Sequence, residues 1–268
     1  MRSPLPASPP RRQAGAAGLA ARGTPRATTS ATTRAAAVAG GSLVAGAFLH
    51  LLPGVVAWRR ARCRLLPGLS GVGRPDHVAL TFDDGPDPAS TPAVLDALDA
   101  FGWRATFFCL GSQARRSPHL VRELVARGHE IGVHGDSHRS QLLRAAPAVV
   151  RDVRDARACL EDISGRRVDW FRPPYGGVSA SSLVAARTTG LRMVLWTTWG
   201  LDWRADATGT SVAANIRRTF VPGATVLLHD SDITSTPQSW KATVDALPLL
   251  AVDWHDRGLE VGPLAEHF

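Results

Sequence analysis

Cysteine is scarce and unpaired: Cys63, Cys109 and Cys159 form an odd set with no close pair in 268 residues. No disulfide framework or zinc knuckle follows from such a set, and Cys109, at the end of an apolar run, reads as a small buried hydrophobe. Acidic residues are absent from residues 1–73, which carry ten Arg, whereas residues 74–268 hold 21 Lys plus Arg against 23 Asp plus Glu. The formal charge of +8 therefore belongs to the leader. It gives no support to nucleic-acid binding by the folded part, whose basic residues also lack the aromatic interleaving of a base-stacking surface. No repeat at a fixed period is visible.

Large apolar side chains are nearly missing from residues 1–34, which are rich in Ala, Arg, Pro, Ser and Thr, so this stretch is expected to be disordered. Residues 35–58 lack formal charge and are long enough to span a bilayer, but four Gly, Pro53 and His50 lower their apolar content. Arginines on both sides leave orientation open. The segment reads as an export signal cut after Ala57, a membrane anchor, a helix packed on the domain, or sequence upstream of the true start. The expected location is extracytoplasmic, secreted or membrane-anchored, with membrane association through residues 35–58. Residues 59–75 read as a basic linker and residues 76–268 as one catalytic domain, since 268 residues with 44% hydrophobic content is ample for one core.

From Asp76 onward strand and helix patterns alternate. Strands are expected near 77–83, 105–110, 130–134, 168–172, 192–197, 224–229 and 259–262. Helices are expected at Thr91–Phe101, Pro118–Arg127, Pro147–Ile163 and Trp240–Arg257. In the third, Val149, Val150, Val153, Ala156 and Leu160 share one side. Such alternation implies a parallel sheet, open or closed.

Polar clusters fall at the ends of the apolar runs. Thr81 to Pro88 brings adjacent Asp83 and Asp84 to a Gly-Pro break, and His134 and His138 follow Ile131 to Val133. A spacing of four on a helical turn puts both rings on one face, and a carboxylate from another strand tip completes a two-His, one-carboxylate cation site with open positions. Arg172 precedes Pro173, Pro174 and Tyr175, Asp202 lies between Trp199 and Trp203, and His229 ends the run from Thr225. Each alone has an ordinary reading: turn cap, surface ion pair, turn acid or satisfied imidazole. Five at successive strand ends point to one site at the C-terminal mouth of an α/β fold.

This ordered set resembles the five motifs of the polysaccharide deacetylase family, the NodB-homology domains, over roughly residues 76–268. One departure is Gly135, where relatives often carry Ser or Thr after the first His. The resemblance implies a distorted (β/α)7 barrel and hydrolysis of N-acetyl groups on an amino-sugar polysaccharide, a cell-wall or chitin-like glycan. It implies a divalent metal, zinc first and cobalt, nickel or manganese as alternatives, held by Asp84, His134 and His138. Asp83 would act as base, oriented by Arg172, and the backbone NH of Tyr175 as an oxyanion donor. His229, supported by Asp202, would be the acid, with Trp203 and Leu227 as the wall for the acetyl methyl. Two other readings stay open: hydrolysis of a non-sugar amide on the same barrel, and a non-catalytic glycan-binding relic.

Overall fold

The strand His77–Asp83 (β1) is buried along its whole length because it has neighbours on both sides. It pairs in parallel with β2 (Thr106–Cys109) and β7 (Thr225–His229), and its first residues pair with β8 (Glu260–Gly262). Outward from β2 follow β3 (Glu130–Val133), β4 (Trp170–Phe171) and β5 (Arg192–Met193); beyond β7 lies β6 (Thr198–Trp199). The computed structural model describes residues 59–268, so the leader 1–34 and the apolar segment 35–58 lie outside the described residues. Among the described residues no helix is long and apolar enough to cross a membrane.

The expected distorted (β/α)7 barrel is found, and the expected helices appear as Thr91–Asp99, Pro118–Ala126, Ala146–Ser164 and Trp240–Asp256. Three more helices, Gly111–Arg116, Ala180–Thr189 and Gly209–Thr219, complete the strand–helix alternation. The last two begin at capping boxes on Ser179 and Thr208, whose hydroxyls accept from the backbone NH three residues on. In Ala146–Ser164 the expected inward face of Val149, Val153, Ala156 and Leu160 is buried with Val150 packed against the same core, and Asp152 is buried beside them.

Side-chain alternation along the strands divides the core in two. Val78, Leu80, Phe82, Phe107, Val133, Phe171, Val226 and Leu228 face the helices, with Phe82 stacked on Phe107 at 5.0 Å. Ala79, Phe108, Trp170 and Val194 fill the barrel interior. Gly132 makes room there: a Cβ would lie 2.6 Å from the Phe108 ring.

Two expectations are corrected. The strand at 192–197 is split: Arg192–Met193 pairs with β4 and Thr198–Trp199 with β7, so this single stretch closes the barrel by changing partners midway. The carbonyls in the crossing are met by guanidinium groups. Arg172 donates to Val194 O and Leu195 O, Arg62 Nη2 to Trp196 O (2.6 Å) and Arg59 Nη1 to Thr197 O (2.9 Å). Nor is the 59–75 stretch a mere linker. It contains helices Arg59–Leu65 and Pro67–Ser70, and Leu69 O accepts from Leu195 N.

Arg62 also donates to Ser70 Oγ and is buried. A hydrogen bond from a charged donor contributes about 1.5–3 kcal/mol. Arg62→Met is expected to lower stability by that order, read as a lower urea midpoint at unchanged m-value.

Below the sheet His267 Nε2 lies 3.3 Å from Gly71 O and 3.1 Å from Gly223 O, and its Nδ1 is 2.9 Å from His77 Nδ1. With Nε2–H given to the carbonyls, His267 Nδ1 accepts from His77. Burial, then the neighbouring His77, pushes the His267 pKa down to about 4. The unfolded chain takes up that proton near pH ~6.5. Stability from this contact is therefore complete above that value and is lost as pH falls towards about 4. Denaturant midpoints recorded down this range are expected to fall, and His267→Gln to flatten the fall.

Candidate active site

The period of two that fills the barrel also aims its upper side chains. Asp83 continues the inward series of Ala79 and Thr81, His134 follows Gly132, Arg172 follows Trp170, and His229 follows Leu227. Asp83 and His229 are register partners on adjacent strands, so they stand at one height. Asp84, one residue on, belongs by alternation to the opposite face. Its backbone turns instead into the left-handed region, φ 81°, and both adjacent carboxylates reach the same cleft. Asp tolerates that region better than most residues, and such strain concentrates at functional sites.

Asp84, His134 and His138 come together. Asp84 Oδ1 lies 3.3 Å from His134 Nε2 and 3.3 Å from His138 Nε2, and the three ligand atoms are all within 4.8 Å of one another. Tetrahedral ligation at about 2.0–2.2 Å sets donor atoms about 3.4 Å apart, so the set fits one divalent cation. His134 Nδ1 is 2.8 Å from Arg172 O and donates to it, which leaves the Nε2 lone pair facing Asp84. Asp84 Oδ1 is buried and has no hydrogen-bond partner, an orphaned acceptor that a cation would satisfy. Burial works against the Asp84 carboxylate, but the surrounding imidazoles, His134 first and then His229 and His138, outweigh it and hold its pKa well below the usual range.

The two imidazoles do not sit on a helical turn as expected. His134 leaves β3 and His138 lies in the loop that follows. Gly135 turns this loop at φ 91°, and a Cβ there would approach Asp152 Oδ2 to 2.9 Å. Asp152 accepts from Asp136 N (3.2 Å) and pairs with Arg144 (3.3 Å), steadying the loop from the helix below. Tyr175, itself at φ 60°, sets its ring edge against His138 at 4.2 Å.

On one side stands Asp83, whose Oδ1 accepts from Arg172 Nη1 at 2.7 Å while Oδ2 is 3.7 Å from His134 Nε2. On the other, His229 Nδ1 donates to Asp202 Oδ1 at 2.9 Å, and Asp202 Oδ2 accepts from His229 N and Thr243 Oγ1, both at 2.7 Å. Leu201, at φ 59°, turns the chain just before that acid. Burial opposes the charged form of His229, but Asp202, with Asp84 and Asp83 behind it, raises the pKa to about 10.

The cleft has a volume of about 260 Å³. Trp203 and Leu227 line it, as do Trp196 and Trp199, to which sequence reasoning gave no role. Asp230 was also missed: it accepts from Gly85 N and Thr91 Oγ1 and so anchors the loop after β1. Thr234, whose hydroxyl donates to Asp84 Oδ2, gave no signal beyond lying near the last motif.

A family profile described as polysaccharide deacetylase matches residues 70–194. A chitooligosaccharide deacetylase of Sinorhizobium fredii (strain NBRC 101917 / NGR234) is 37% identical over 207 residues, 74% of this chain and 94% of the relative. Among solved structures, the peptidoglycan deacetylase PdaC from Bacillus subtilis shares 30% identity at a TM-score of 0.61, over 71% of this chain and 89% of that one. A family 4 carbohydrate esterase from Streptomyces lividans, in complex with acetate, gives 0.62 at 29% identity, over 70% and 92%. With β1 to β5 inside the profile match and the relative's similarity covering nearly its whole length, the chain belongs to the polysaccharide deacetylase family.

Proposed function

We propose that the protein removes N-acetyl groups from N-acetylglucosamine units of a polysaccharide, peptidoglycan or a chitin-like chain. The observation that carries the reading is one carboxylate oxygen, Asp84 Oδ1, 3.3 Å from two imidazole nitrogens, with an acid–guanidinium pair and an acid–imidazole pair beside it. The names of the relatives, chitooligosaccharide and peptidoglycan deacetylases, support the substrate class. Such a substrate agrees with a domain outside the cytoplasm.

Zinc suits the two-His, one-carboxylate set, and cobalt, nickel or manganese also accept it. When bound, the cation supplies Lewis acidity, polarising the acetyl carbonyl and making water easier to deprotonate. Asp83 Oδ2, free of Arg172, takes the proton from the attacking water. Arg172 keeps Asp83 aimed. The Tyr175 backbone NH steadies the developing oxyanion, a contribution of about 3 kcal/mol for a donor of this kind. His229, held through Nδ1 by Asp202, delivers a proton from Nε2 to the departing nitrogen. Acetate and a free amine result, while Trp203 and Leu227 wall the acetyl methyl.

Incubation with N-acetylglucosamine oligomers and with peptidoglycan is expected to release acetate, to stop with a chelator and to resume on adding a divalent metal. Acetate from neither glycan would overturn the reading.

The acid role has its own pH signature. His229 works protonated, so activity falls as pH rises through its pKa of about 10. Asp202→Asn removes the partner that favours the charged ring. The alkaline limb of kcat/KM is expected to move down by about 1–3 pH units.

A further inference from the structure

Asp84 offers two oxygens, and the protein treats them differently. Oδ1 faces the two imidazoles without a hydrogen-bond partner. Oδ2 accepts from Thr234 Oγ1 at 2.5 Å, the length of a strong charge-assisted bond. Thr234 comes from the loop after β7, beyond residues 70–194 and beyond the five motif clusters. It stands at the exposed rim, yet its hydroxyl reaches a carboxylate that is only 1% exposed.

Both ends of this contact are built. In the Thr234 loop, Ser231 Oγ accepts from Ile233 N and donates to Asp87 Oδ2, and Ser235 N donates to Asp232 O. At the start of that loop, Asp230 binds the segment carrying Asp84 through Gly85 N (3.1 Å), Thr91 Oγ1 (2.6 Å) and Ser90 Oγ (2.6 Å). The β7 loop is thus registered against the β1 loop on either side of the Thr234–Asp84 bond. Without that bond, rotation about the Asp84 side-chain bonds would present both oxygens to the cation. Ligation through both oxygens would fill a position that a catalytic site leaves for water or substrate.

We propose that Thr234 is a positioning residue of the metal centre: by engaging Asp84 Oδ2 it fixes Asp84 as a ligand through Oδ1 alone. The inference rests on the reading of Asp84, His134 and His138 as metal ligands. Removing a partner that orients a metal ligand commonly costs 10–100-fold in affinity.

The test is calorimetric titration of the metal-stripped protein with zinc, for the wild type, Thr234→Val and Thr234→Ser. The expected result is a ~10–100-fold weaker affinity for Thr234→Val and near-wild-type affinity for Thr234→Ser, whose hydroxyl is retained. With cobalt(II), the visible absorption is expected to weaken in Thr234→Val alone, as coordination number rises. Thr234→Ala gives the same comparison should the valine variant fail to fold, with metal-free melting temperatures as the check on folding. Equal zinc affinity and an unchanged cobalt spectrum in wild type and Thr234→Val overturn this inference alone. Absence of zinc binding to the wild type overturns the ligand reading and this one with it.

Discussion

The Arg172 guanidinium is buried without residual exposure, and the site and the barrel closure both hang on it. Taking a cation out of water costs several kcal/mol, so the group persists only where partners surround it. Nη1 donates to Asp83 Oδ1 and Thr81 Oγ1, Nη2 to Leu195 O and Nε to Val194 O, while Phe108 lies 4.0 Å from the guanidinium carbon. Its backbone carbonyl accepts from His134 Nδ1. One residue thus fixes an acid on β1, the tautomer of an imidazole after β3, and the crossing between β5 and β6. Losing one partner of such a buried pair costs about 3–5 kcal/mol, a large share of the 5–15 kcal/mol that holds a domain folded. Arg172 and Arg62 grip consecutive parts of the same crossing, which couples the basic N-terminal helices to the wall bearing Trp196.

Strand alternation explains why residues so distant in sequence converge. With all strands parallel, inward residues at the C-terminal tips such as Asp83, His134 and His229 come to one cleft. Departures from regular backbone then adjust it. Asp84, Tyr175 and Leu201 take positive φ, and each lies at or beside a site residue. Such conformations cost about 1–3 kcal/mol each and survive where neighbours over-determine them. Around Asp84 those neighbours are the Asp230 contacts and the Thr234 hydroxyl.

What was legible in the sequence follows from this division. Asp83, His134, Arg172 and His229 stand at the ends of apolar runs, and that position alone marks a strand tip in an α/β fold. Spacing misleads where the backbone leaves regular structure: His134 and His138 are four apart, but Gly135 carries them on a loop. The run at 192–197 has a strand's composition, and only the partners on either side reveal its break. Arg59 and Arg62 look like linker charge until the carbonyls they meet are known. Thr234 and Asp152 act through tertiary contacts that no local pattern encodes.

The register of β1 against β7 sets the last constraint. Asp83 and His229 are partners on neighbouring strands, so a carboxylate and an imidazole share one small cleft with Asp84. Arg172 compensates Asp83 from behind, and Asp202 compensates His229 from behind, each through a bond directed away from the cleft. The two supports have opposite sign. A guanidinium thus backs the acid and a carboxylate backs the imidazole, so each group has its counter-charge outside the cleft while their free edges face one another across it.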